Sequence, residues 1–248
     1  MSNLKITIEG KVALVTGSNR GIGKAIVAEL ISQGASKVYA GARDINKLND
    51  LKEKYGDKIV PIQLDVTNES DIKAAVKTAS DLDILINNAG ILYVGGFFGE
   101  SDIEAFDKQL AVNVHGLINV TKAFVTQLRI KAESAIVNVS SLAGLGNMPS
   151  IGNYSVTKAA VHSITQNFRA ELVSDGVLVT GVYPGPIDTD MVKDFPMDKD
   201  SPENVAKAIV QGLIEGSEDI FPDQMSNQAG QGYMVDPKGI EKQFASFA

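Results

Sequence analysis

Short apolar runs rich in Val and Ile recur along the chain, with longer amphipathic stretches between them. The runs are KVALVT (11–16), KVYAG (37–41), KIVPIQL (58–64), LDILIN (82–87), SAIVNVS (134–140) and VLVTGVY (177–183). Their apolarity is continuous rather than alternating, which suits strands covered on both faces. The stretches 21–33, 45–55, 69–80, 101–130, 155–174 and 202–215 carry apolar residues at helical spacing. Strand and helix in alternation predict βαβ units, and right-handed crossovers then give a parallel α/β sheet with helices on both sides. The 101–130 stretch is apolar around much of its circumference, which predicts burial on more than one side. No linker, repeat or composition shift divides the chain, so one domain over 1–248 is expected. From about Asp223 the pattern weakens into a Gly-rich, polar tail, 223–248.

Composition changes this picture mainly by exclusion. The apolar fraction of 44% and charged fraction of 21% are ordinary for a soluble globular protein. With no cysteine there is no disulfide framework, thiolate metal site or cysteine nucleophile. The two histidines, His115 and His162, are far apart and flank no metal-like cluster, so no metal is expected and both read as structural. The six methionines are scattered and read as gap-filling. A net charge of −7 argues mildly against nucleic acid as a partner. No apolar run approaches the ~18 residues of a membrane span, and MSNLKITIEGK at the start lacks the apolar stretch of a signal peptide. A cytoplasmic protein with no membrane partner is the expectation.

Candidate chemistry begins after the first strand. VTGSNRGIG (15–23) places Gly17, Gly21 and Gly23 between strand and helix. Glycines there let the backbone approach a pyrophosphate, and the helix N-terminus offers free N–H groups and a positive dipole end. The spacing G-x-x-x-G-x-G differs from the common G-x-G-x-x-G fingerprint; on its own it also fits a turn chosen for close packing. An NAD site usually places an acidic residue at the end of the second strand. Here YAGARD puts Ala42 at that position and Arg43 next, while Arg20 lies inside the turn. Two cations and no carboxylate favour a 2′-phosphate, hence NADP(H), although Arg43 would serve equally as a solvated charge. Asp44 reads as a helix cap.

In NYSVTK (153–158), Tyr154 and Lys158 are four apart and share a helix face. A tyrosine with a pKa near ~10 must be brought towards 7 to work as an acid or base at neutral pH. A positive charge about 4 Å away contributes roughly 4 kcal/mol at an effective dielectric of about 20, which is about enough. Any single Tyr-x-x-x-Lys is as readily an exposed pair without a task.

Together, TGSNRGIG (16–23), NNAG (87–90), Ser141 and YSVTK (154–158) resemble the short-chain dehydrogenase/reductase family, in its order and spacing. Ser141 lies thirteen residues before Tyr154, as in the family pattern; this favours it over the neighbouring Ser140. Asn113 in AVNVHG matches the family's catalytic asparagine, LDVT (64–67) the adenine-flanking segment, and YPGPIDT (183–189) the segment that closes over the nicotinamide. The resemblance covers roughly 10–215. It implies a single-domain Rossmann fold: a doubly wound, mostly parallel seven-stranded sheet. It implies NADP(H)-dependent reduction of a carbonyl, or the reverse, with Tyr154 as general acid/base, Ser141 positioning the oxygen, Lys158 tuning Tyr154 and holding the nicotinamide ribose, and Asn113 anchoring a water. The implied cofactor contacts are Gly17, Ser18, Asn19, Arg20, Gly21, Ile22 and Gly23 in the turn, Arg43, then Asp65 and Val66. Asn87, Ala89 and Gly90 follow, with Tyr154, Lys158, Pro184, Gly185, Ile187 and Thr189. Asn87 and Asn88 would serve equally as bridges between strands. A homodimer or homotetramer acting on a small-molecule substrate is also implied.

The likeness thins at the end. The family often closes its last strand with Asp-Gly-Gly, whereas this chain has EDIFPDQMS (218–226), in which DIFP is the candidate strand. This departure puts the tetramer arrangement in doubt. Segments 91–101 and 190–202 are expected to wall the substrate pocket, with Tyr93, Phe97, Phe98, Met191, Val192, Phe195 and Met197 as apolar surface. Two other readings compete. A non-enzymatic NADP(H) sensor usually lacks the tyrosine or lysine, and a nucleotide-sugar epimerase or dehydratase generally carries a larger C-terminal domain.

Overall fold

The computed structural model describes residues 4–98 and 103–247. Among these, seven strands form one fully parallel sheet: β1 (Val12–Thr16), β2 (Lys37–Ala42), β3 (Ile59–Gln63), β4 (Ile84–Asn87), β5 (Ser134–Val139), β6 (Val177–Val182) and β7 (Asp219–Ile220). Their order is β3-β2-β1-β4-β5-β6-β7. The winding reverses between β1 and β4, and ligands of such sheets bind outside the carboxyl ends of the strands at that point.

The continuous apolarity of the strands has a direct cause. Successive side chains point to opposite faces, and both faces are covered. Ala13 and Val15 of β1, Ile84 and Ile86 of β4, and Ala135 and Val137 of β5 share one core. Ile26 and Leu30 of α1 (Gly21–Ser32), Leu51 of α2 (Asn49–Tyr55) and Val205, Ile209 and Leu213 of α7 (Pro202–Glu215) complete it. Leu14, Leu85 and Ile136 face the other way. There they meet Ile72 and Ala75 of α3 (Glu69–Thr78), Val120, Phe124 and Leu128 of α5 (Leu117–Arg129), and Leu172 of α6 (Gly152–Leu172). Local chemistry sets the helix ends. Asn68 accepts from the Ser70 and Asp71 N–H groups at the start of α3. Ser201 caps α7 ahead of Pro202, and Gly216, at φ +79°, ends it.

Three expectations are corrected. The stretch 101–130 is not one regular helix: α4 (Ile103–Gln109) passes through a π-helical segment, Leu110–Gly116, into α5. Its expected start at 101 and the end of the 91–101 loop lie outside the described residues. The tail is not irregular. It forms α8 (Gln224–Val235) and α9 (Pro237–Ala245). The start of α8 is a capping box between Asp223 and Ser226, and Asp236 caps α9. The candidate strand DIFP shrinks to the two residues of β7.

The tail is held by its own small core. Phe244 of α9 is fully buried with Leu142, Leu145, Tyr183, Ala229 and Ile240. Its ring takes the space that a side chain at Gly146 would need. Burying a phenylalanine among aliphatic partners and then deleting it leaves a cavity. Phe244→Ala is expected to lower unfolding free energy by about 3–5 kcal/mol, read from urea midpoints; a change within about 0.5 kcal/mol would show that α9 is not part of the cooperative fold.

Candidate active site

One cavity of about 1450 Å³ runs across the carboxyl ends of the strands. At one end it meets the turn after β1. Gly17, at φ +67°, takes a backbone conformation that other residues resist. A Cβ on Gly23 would run into the Asn88 carboxamide and the Gly17 carbonyl. Asn88 fixes this turn by donating to the Thr16 carbonyl at 2.9 Å and the Gly17 carbonyl at 3.1 Å. The Thr16 hydroxyl accepts in turn from the N–H groups of Asn88 and Ala89, both at 3.0 Å. Helix α1 then starts without a side-chain cap. Its first N–H groups, at Gly21, Ile22 and Gly23, belong to residues that line the cavity, which suits a phosphate.

Most residues expected to hold a dinucleotide line this cavity: Gly17, Asn19, Arg20, Gly21, Ile22, Gly23, Arg43, Asp65, Val66, Ala89, Gly90, Tyr154, Lys158, Pro184, Gly185, Ile187 and Thr189. Two of the expected set are placed elsewhere. The Ser18 hydroxyl, fully buried, donates to the Gly41 carbonyl at 3.1 Å. The Asn87 carboxamide donates to Thr121 and to Asn138, both at 2.9 Å, and so bridges β4 to α5 and β5. Arg20 is not free either, since it pairs with Asp190 at 2.8 Å across the cavity rim. Arg43 is exposed at the end of β2 and lines the cavity with Lys47, beside the carboxylates of Asp44, Asp50 and Glu53.

At the other end stand the candidate catalytic groups. Tyr154 and Lys158 lie one turn apart on α6, only 8% and 5% exposed. The Lys158 amine donates to the Val139 carbonyl at 2.8 Å and sits 5.5 Å from the centre of the Tyr154 ring. Ser140 and Ser141 both line the cavity, but they bond differently. Ser140 donates to the Lys158 carbonyl at 2.9 Å and so ties β5 to α6. Ser141 caps the 142–144 turn and hydrogen-bonds Tyr154. Asn113, in the π-helical segment, accepts from the Ile91 N–H at 2.8 Å. It donates to the Ile91 carbonyl at 2.9 Å and to Thr157 at 3.0 Å. π-Helical turns of this kind often sit at functional sites.

Lys158 does not bring the Tyr154 hydroxyl towards 7 in the free protein. Burial pushes its hydroxyl above the ordinary tyrosine value, opposed by the hydrogen bond to Ser141. Burial also lowers the Lys158 amine to about 8, still a cation at neutral pH. Desolvation of the phenolate outweighs the attraction of the lysine in the free protein.

Thr16 and Thr157 were missed as positioning residues, whereas Asn88, read as a bridge between strands, ties the end of β4 to Thr16 and Gly17. Both threonines lie inside the motifs TGSNRGIG and YSVTK, and nothing in their spacing marked their hydrogen bonds. Met148, Met225 and Phe247 also line the cavity; they come from a loop and from the tail, where no periodicity pointed. His162 shares a hydrogen bond of 2.7 Å with Tyr183, and His115 is exposed.

The buried lysine makes a pH signature. Between pH 8 and about 10 the unfolded chain holds a proton on Lys158 that the native amine has given up, so stability rises with pH. Above about 10 the raised Tyr154 reverses the trend, because the unfolded chain then loses a proton that the native hydroxyl keeps. Lys158→Met is expected to flatten the rise between pH 8 and 10 in urea unfolding; an unchanged slope would contradict a depressed lysine.

The short chain dehydrogenase family model matches residues 11–200. An uncharacterized oxidoreductase of Staphylococcus epidermidis is 34% identical over 217 residues, 85% of this chain and 94% of that protein. A short chain dehydrogenase from Burkholderia cenocepacia, solved in complex with NADP, superimposes with a TM-score of 0.90 at 34% identity, over 96% of this chain and 99% of that one. A 3-ketoacyl-(acyl-carrier-protein) reductase from Brucella melitensis, complexed with NADH, gives 0.79 at 28% identity, over 85% and 93%. With its glycine turn, its parallel sheet and its buried tyrosine–lysine pair, this chain belongs to the short-chain dehydrogenase family of oxidoreductases.

Proposed function

We propose that the protein reduces a ketone or aldehyde to an alcohol with NADPH, or runs the reverse reaction, with Tyr154 as the general acid/base. The observation that carries this reading is the meeting of Ser141, Tyr154 and Lys158 with the glycine turn in one cavity. The uncapped start of α1 and the cations Arg43 and Lys47 fit a dinucleotide with a 2′-phosphate. The Burkholderia cenocepacia relative in complex with NADP supports the same choice. No helix is long and apolar enough to cross a membrane among the described residues. We place the protein in the cytoplasm as a homodimer or homotetramer.

When bound, NADPH supplies the hydride that the carbonyl carbon receives. The chain does the rest. Ser141 donates to the carbonyl oxygen and steadies the negative charge that grows there. Tyr154 gives its proton to that oxygen. A tyrosine held above its ordinary pKa keeps this proton until alkoxide character calls for it. Lys158, fixed by the Val139 carbonyl, favours the resulting phenolate by its charge. Asn113 is locked by Ile91 and Thr157 beside Gly90, on the side of the Lys158 amine. There it can hold a water that returns the proton.

Tyr154→Phe is expected to lower kcat by about 10²–10⁴-fold while NADPH still binds, as followed by cofactor absorbance and fluorescence titration. Turnover at the wild-type rate would remove Tyr154 from the reaction.

A further inference from the structure

The two ends of the cavity differ in charge. Arg43, Lys47, Asp50 and Asp65 line the part over β2 and β3. The part over β5 and β6 is apolar. Around Tyr154, the buried Ala143 and Ile151 pack with Leu92, Met148 and Phe195. Met197 adds to this wall from the segment after β6, and Met225 and Phe247 from the tail. At this end the described residues offer Lys158 as the charged group, and its amine is already bonded to the Val139 carbonyl. Arg20 and Asp190 neutralise each other at the rim.

Phe247 is not a loose terminus. Its carbonyl accepts from the Ser150 hydroxyl at 2.8 Å and the Ser150 N–H at 3.4 Å. Its ring stands edge-on to the buried Phe244, with centres 6.0 Å apart. The residues just past α9 therefore place an aromatic ring on the cavity wall. The ends of the segment after β6 are tied to each other, the Asp188 N–H donating to the Asp200 carbonyl at 2.8 Å and the Asp200 N–H to the Pro186 carbonyl at 3.0 Å.

We propose that the substrate is an uncharged, apolar carbonyl compound whose hydrocarbon part lies against Met148, Phe195, Met225 and Phe247, with Phe247 setting the length accepted. This rests on the carbonyl-reductase reading. A carboxylate or phosphate on the substrate would enter a desolvated wall where the described lining residues offer no free cation to meet it, which is strongly unfavourable. Methionine side chains bend to fit differing outlines, so shape is tolerated more readily than charge.

The test uses the full chain with NADPH and two series: methyl ketones of increasing alkyl length, and the same chains ending in a carboxylate. The expected result is a rise in kcat/KM of about fourfold for each added methylene until the wall is reached. The terminal carboxylate is expected to lower it about 10²-fold or more. Phe247→Ala is expected to leave KM for the shortest ketones nearly unchanged and to extend the fourfold rise per methylene to longer ketones, so that KM falls about tenfold for chains just beyond the wild-type limit. Calorimetric Kd values of the product alcohols should follow the same order. Preference for the carboxylates, or a length limit that Phe247→Ala does not move, overturns this proposal and leaves the reductase reading standing. Turnover of neither series, with NADPH bound, overturns both.

Discussion

The burial of the Lys158 amine against the Val139 carbonyl is the contact on which the site depends. It joins the end of β5 to the first turns of α6 and fixes where Tyr154 points. A second bond across the same seam, from Ser140 to the Lys158 carbonyl, sets the helix register. The 142–144 turn packs so tightly on α6 that a side chain at Gly144 would strike the Lys158 backbone. With the register set, Ser141 and Tyr154 face one space. Removing a buried amine from water is costly, and its lowered pKa reflects that cost; the carboxyl end of β5 supplies the compensating acceptor.

Burial and charge compete here, and their balance explains the chemistry better than either alone. A lysine cation near a tyrosine lowers its pKa, but the same apolar shell that concentrates this attraction penalises the phenolate. In the free protein the shell wins, so Tyr154 rests as a protonated donor. That is the state a reductase needs at the start of each cycle. The same apolar shell extends along the cavity through Met148 and Phe195 to Met225 and Phe247 of the tail.

Much of this was legible in the sequence because the signals were local. Continuous apolar strands follow from a sheet covered on both faces, and the glycine turn and the Tyr-x-x-x-Lys pair follow from backbone geometry within a few residues. What stayed hidden depended on tertiary contacts. Helix α8 has a polar, Gly-rich surface because it covers Phe221 and Tyr183 along one narrow side, so its period was weak. The π-helical turn around Asn113 leaves no mark on hydrophobic spacing over so short a span. Arg20 reads as a phosphate ligand from its position, yet it bonds Asp190, 170 residues away. Asn87 and Ser18 lie inside binding motifs but serve the sheet.

The central claim is that the cavity directs hydride to a carbonyl carbon under control of Tyr154. Its most direct measurement is isotope transfer, with NADPH deuterated at the reactive nicotinamide carbon, a methyl ketone as acceptor, and mass spectrometry of the alcohol. The account predicts one deuterium on the carbinol carbon, from one face of the nicotinamide only. An alcohol without deuterium, formed while labelled cofactor is consumed, would contradict it.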